Sequence, residues 1–160
     1  MSAIPQHLEP SAAVSAPAVR EATTAAAVAA GPAWQAFQAL HWAFVVLPIT
    51  AGADKFFDVL APWREYLAPV IPDLLGVSAQ RLMYNVGVFE MLLGLFVAFA
   101  PRVGGWVMAG WLWAVAANLM LMPGYADVAV RDAALSLGAL ALARLGAQFE
   151  DAVEPPRARR

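Results

Sequence analysis

Apolar residues gather in four long runs, at residues 38–53, 82–100, 103–122 and 130–145, separated by Pro, Gly or charged positions. The middle two approach the ~20 residues that carry a helix across ~30 Å of hydrocarbon. The outer two reach that length once their polar ends are included. A water-soluble helix keeps a polar stripe opposite its buried face, and residues 92–100 and 104–117 offer none. The pattern predicts an all-α polytopic membrane protein. Its single domain, residues 34–147, is expected to be an antiparallel four-transmembrane-helix bundle.

Helix breakers place the elements. The first spanning helix is expected from Trp34 to about Phe57, kinked at Pro48. Residues 58–80 are too polar to span and contain Pro62, Pro69 and Pro72. There Trp63, Tyr66 and Leu67 mix with Asp58, Arg64 and Glu65, which suits a short helix lying on the membrane interface. The second helix is expected from about Arg81, turning at Pro101-Arg102 into the third. That turn is short enough only for an antiparallel hairpin. Met122-Pro123-Gly124 reads as a helix stop, and the fourth helix is expected from about Arg131. Residues 1–33, rich in Ala, Pro, Ser and Thr, read as a flexible tail. No Lys or Arg precedes an apolar core there, which argues against a cleavable signal peptide. Residues 148–160 read as a polar C-terminal tail.

Composition narrows the chemistry. Hydrophobic residues make up 61% of the chain and charged residues 14%, which is far from a soluble balance. The absence of cysteine removes disulfides, thiol chemistry, iron–sulfur clusters and covalent haem attachment. The histidines are His7, in the tail, and His41, read as an interface residue, so a bis-histidine haem or His-rich metal site lacks ligands. No basic patch interleaved with aromatics suggests nucleic acid. Trp106, Trp111 and Trp113 read as lipid-facing or interfacial anchors. No nucleophile elbow, phosphate loop or metalloprotease motif is present, so the residues themselves do not point to catalysis by this chain alone. Arg20, Arg102, Arg144, Arg157, Arg159 and Arg160 would share one side of the membrane, against Lys55, Arg64, Arg81 and Arg131 on the other. This bias places both termini in the cytoplasm.

Glu90 is the position that most needs explaining. It lies about eight residues into the second helix, ~12 Å below its start, where a carboxylate is costly unless paired, wet or protonated. Gly87 and Gly94 share its face and would let a neighbouring helix approach closely. In an antiparallel arrangement the same membrane face receives Asp54 and Lys55, then Tyr84 and Asn85, then Asn118, then Asp127, Arg131 and Asp132. Lys55 and Arg131 have stems long enough to reach inward. Gly110, Ala114 and Ala117 share the face of Asn118 and read as a packing seam. Gly104-Gly105 together with Gly110 leave room for close packing between protomers. The cluster Lys55, Glu90, Arg131, Asp132, Asn118 and Tyr84 reads either as glue between helices or as a site for a quinone headgroup, another small polar ligand or a proton. Tyr84 and Phe56, flanking it, would suit a quinone.

Gly52-Ala53-Asp54-Lys55-Phe56-Phe57, followed by Tyr66-Leu67-Ala68-Pro69, resembles the first-helix signature and following loop of the DoxX-like membrane proteins. Glu90 within Val86-Gly87-Val88-Phe89-Glu90-Met91-Leu92-Leu93-Gly94 resembles that family's second-helix pattern, and Arg131-Asp132-Ala133-Ala134-Leu135 the start of its fourth helix. The resemblance covers roughly residues 36–145. It implies a four-helix membrane fold and Lys55, Glu90, Arg131 and Asp132 as a shared polar cluster. The family takes its name from a subunit of a thiosulfate:quinone oxidoreductase, and other members are associated with redox defence at the membrane. The expectation is a small bacterial inner-membrane subunit accompanying a quinone-linked redox complex, surrounded by lipid and by other subunits or copies of itself. A purely structural protein, or an oligomer conducting protons or small solutes, are the alternatives.

Overall fold

The computed structural model describes residues 31–153 and is all-helical over them. The expected N-terminal tail up to residue 30, with His7 and Arg20, and residues 154–160 lie outside the described residues. In chain order come α1 (Pro32–Asp54), a 3-10 turn (Trp63–Tyr66), α2 (Val70–Leu75), α3 (Ala79–Phe99), α4 (Pro101–Met120) and α5 (Ala126–Val153). Helices α1, α3 and α4 are each long and apolar enough to cross a membrane, and the chain is an integral membrane protein on that ground. Helix α5 is the longest, at 28 residues, and carries Asp127, Arg131, Asp132 and Arg144 along its length.

Several helix ends differ from the sequence expectation, each for a local reason. Helix α1 stops at Asp54 because the chain turns left-handed at Asp58 (φ 53°), whose N–H donates to the Asp54 carbonyl at 2.8 Å. Asp is among the residues that tolerate that conformation. Helix α3 starts before Arg81 because Ser78 caps it, its hydroxyl accepting from the Arg81 N–H at 3.3 Å. Ala100 alone separates α3 from α4, with Pro101 opening α4. Pro101 has no N–H to offer the Val97 carbonyl one turn earlier. His41 fills that vacancy from α1, its Nε2 lying 3.1 Å from the Val97 oxygen. Helix α5 begins at Ala126 rather than near Arg131, with Asp127 in its first turn, where the helix dipole favours a carboxylate. It continues past residue 147 because Phe149 is buried against Trp34 (5.0 Å between rings) and Phe37 (5.4 Å).

The helices pack as two close pairs. Between α1 and α3 the backbones nearly touch. A Cβ on Gly52 would fall 2.5 Å from the Gly87 oxygen, and one on Gly94 would fall 2.8 Å from the Val45 oxygen. Between α4 and α5, a Cβ on Gly105 would fall 2.8 Å from the Ala139 oxygen. Contact between the two pairs is sparser. It rests on larger side chains, and Phe37, Phe44, Leu93, Val97, Met108 and Leu142 from all four long helices form one buried cluster. The glycines Gly104 and Gly105, expected to serve contacts between protomers, are consumed inside the chain against Val97 and Ala143. The positions of the expected seam, Gly110, Ala114 and Ala117, are exposed instead of packed against a neighbouring helix. The buried face of α4 runs through Gly105, Met108, Ala109, Ala116 and Leu119, rotated away from those three positions.

Candidate functional site

The site begins with what Asp54 does to the chain after α1. Its carboxylate accepts the N–H groups of Val59 (3.1 Å) and Leu60 (2.8 Å) and the Trp63 indole N–H (2.7 Å). These bonds fold the segment back over the helix end. On α4, Asn118 holds the other end of the segment, accepting from the Ala68 N–H (2.9 Å) and donating to the Tyr66 carbonyl (2.6 Å). An acid and an amide thus staple residues 58–68 across the helix ends, with Trp63 turned inward.

Beneath this cover lies the ion pair. Lys55 Nζ is 2.5 Å from Glu90 Oε2, and the side chains are only 4% and 12% exposed. Removing two charges from water is expensive unless each finds further partners. Here each does. Lys55 Nζ also lies 3.5 Å from the Ala51 carbonyl and 3.8 Å from the centre of the Trp63 ring, a cation–π contact strengthened by desolvation. The second oxygen of Glu90 accepts the Trp111 indole N–H at 3.3 Å. Trp111 packs against Phe89 with the rings tilted by 57° and their centres 4.7 Å apart. Asp54, Trp63, Lys55, Glu90 and Trp111 therefore form one connected chain of polar contacts across α1, the loop, α3 and α4.

The cluster is not sealed. A cavity of about 540 Å³ lies under the loop, walled by Tyr66, Met83, Val86, Val115 and Leu119, among others. A second, of about 350 Å³, runs between α1 and the α4–α5 pair past Leu40, Phe44, Leu47 and Ala51. Lys55, Trp63, Glu90, Trp111, Val115 and Asp132 belong to the walls of both. The cavities thus occupy the sparser gap between the helix pairs and share a charged partition. Both volumes fall in the roughly 300–1,000 Å³ range of small-molecule sites, and both have such a site's mostly apolar walls with a few convergent polar groups.

The structure places the sequence-predicted residues as follows. Lys55, Glu90 and Asp132 converge on the shared wall, and Asn118 lies in the wall of the larger cavity. Arg131 stands apart. With Asp132 facing inward, the preceding residue is turned ~100° away on the helix, and its exposed guanidinium pairs with Asp127 at 3.4 Å. Tyr84 also lies outside both cavities. It stacks on Phe56 at 5.0 Å (interplanar angle 11°), and both rings are partly exposed. Trp106 and Trp113 are exposed, as lipid-facing anchors should be, but Trp111 is turned inward to Glu90.

Sequence reasoning missed two tryptophans. For Trp111 a signal existed, because counting ten residues back from Ala100 and ten on from Pro101 sets Glu90 opposite Trp111 in an antiparallel hairpin. For Trp63 no periodic signal exists, since its position depends on the backbone bonds that Asp54 collects. Among the described residues no group of His, Cys, Asp and Glu is arranged to hold a metal ion. Compared with known protein families, characterised proteins and solved structures, the chain has no match.

Proposed function

We propose that this chain is a four-transmembrane-helix accessory subunit of a quinone-linked redox complex and that its shared cavity wall receives a quinone-class headgroup. The observation that carries the reading is the charged partition of Lys55, Glu90 and Asp132, flanked by Trp63 and Trp111, at the meeting of two otherwise apolar cavities. A quinone is a flat ring with oxygen at two ends and a long hydrocarbon tail. The indoles suit the ring, the polar groups suit its oxygens, and the groove from Leu40 to Ala51 along α1 suits the tail. Helical glue alone would account for the ion pair but not for the cavities on either side of it. A conducting path would need polar walls, and the wall along α1 is apolar.

The membrane reading rests on similar arguments. Helix α5 is long enough to span at 1.5 Å per residue, residues 133–143 carry no charge, and it packs closely along α4. A helix packed along a spanning partner shares its depth. The exposed Phe57, Val59, Leu60, Val70, Leu74 and Leu75 around α2 suit an interfacial segment between α1 and α3. The DoxX-like resemblance agrees with this arrangement and with a bacterial inner membrane, and the arginine bias supports cytoplasmic termini. The test is gentle purification of the tagged chain from native membranes, with mass spectrometry of proteins and extracted lipids. Stoichiometric quinone and redox subunits support the proposal. A chain recovered alone and free of quinone would leave the structural reading standing.

A further inference from the structure

We propose that the shared wall selects the reduced, hydroxyl-bearing form of its ring ligand, with Asp132 as the acceptor. The inference rests on the quinone-class reading above and deepens it. It follows from counting donors and acceptors at the wall common to both cavities. The Trp63 N–H is taken by Asp54, and the Trp111 N–H by Glu90. The Lys55 ammonium is directed at Glu90 and the Ala51 carbonyl, with the Trp63 ring as its third neighbour. Each nitrogen donor at that wall is therefore already committed within the protein. The carboxylate of Asp132 differs, because among the described residues it has no hydrogen-bond partner, yet it lines both cavities. Glu90 carries two oxygens with one donor apiece and retains further acceptor capacity.

A wall with spent donors and open acceptors discriminates by hydrogen-bond polarity. A quinone offers only carbonyl oxygens, which would face carboxylates without a proton between them. A quinol offers two O–H groups, one of which can donate to Asp132 in a charge-assisted bond. Tyr66 and Asn118, which could donate to a carbonyl, line the larger cavity only.

The test is isothermal titration of the full chain in nanodiscs, under anaerobic conditions at neutral pH. Three probes are used: a decyl-substituted benzoquinol, the matching quinone and the quinol dimethyl ether. Empty nanodiscs correct for partition into lipid. The quinol is expected to bind about tenfold tighter than the quinone, with the dimethyl ether as weak as the quinone, because only the O–H donors distinguish them. Asp132→Asn, which exchanges an acceptor oxygen for a donor, should reduce the preference to within about twofold while quinone binding persists. Equal binding, tighter quinone binding or an unchanged preference in Asp132→Asn would overturn the inference while leaving the quinone-class site intact. Absence of binding by all three probes would overturn the quinone-class reading itself.

Discussion

At the scale of single residues, the ion pair dominates. Glu90→Ala would leave the Lys55 ammonium buried without its partner, a loss expected to cost about 3–5 kcal/mol. Thermal melting in detergent, and the yield of folded protein, would show it. The double variant Lys55→Met with Glu90→Leu removes both charges and should melt nearer the parent chain than Glu90→Ala does. Under the proposed function it should nonetheless lose quinone-class ligand binding, which separates the pair's structural role from the chemical one proposed for it. Asn118→Ala strands the Ala68 N–H and the Tyr66 carbonyl together, at a cost of about 1–3 kcal/mol. Proteolysis or hydrogen exchange should detect this first at residues 58–68. Glu90 was legible in the sequence because its depth and flanking glycines made it anomalous, and Lys55 because its stem could reach. The loop staple was not legible. Asp54 read as one more charge at a helix end, and its role depends on three N–H groups that gather only once the chain has turned at Asp58.

At the scale of elements, close packing is decided by where a methyl group would fit. Gly52→Ala or Gly87→Ala would press a Cβ into the facing backbone, at 2.5 Å and 2.6 Å respectively, so α1 and α3 must separate. Each should cost 1–3 kcal/mol, about the price of overpacking a core. Gly110→Ala adds its Cβ to open space in a helix and should be neutral or stabilising by up to ~1 kcal/mol. Melting temperatures of the three variants in one detergent would check the contrast. The number and order of the long helices could be read from the apolar runs alone. The partners could not, because α4 is apolar on every side and its pattern does not reveal which face is buried. Hence the sequence suggests a seam on Gly110, Ala114 and Ala117, although the chain buries Gly105, Ala109 and Ala116. Helix ends differ by a few residues from the sequence expectation wherever a cap such as Ser78 or a left-handed residue such as Asp58 sets the boundary.

At the scale of the whole molecule, the absence of cysteine makes topology directly measurable. Single cysteines at Arg81 and Arg102, at opposite ends of the α3 span, should be labelled from opposite sides of sealed vesicles by a membrane-impermeant maleimide. Labelling of both from one side would refute the spanning role of α3. The single-residue connection at Ala100 has a further consequence, for how the protein is made. With no segment between them to be carried across separately, α3 and α4 must enter the bilayer together as one folded unit. Helix α1, synthesised first, waits for Gly87 and Gly94 to emerge before it has a matching surface. Helix α5 arrives last, bringing Ala139 and Ala143 to Gly105 and Asp132 to the cavity wall. The cavity wall proposed as the ligand site is therefore the final feature to assemble, and a nascent chain released before α5 is complete would have its first three long helices but lack that wall's Asp132.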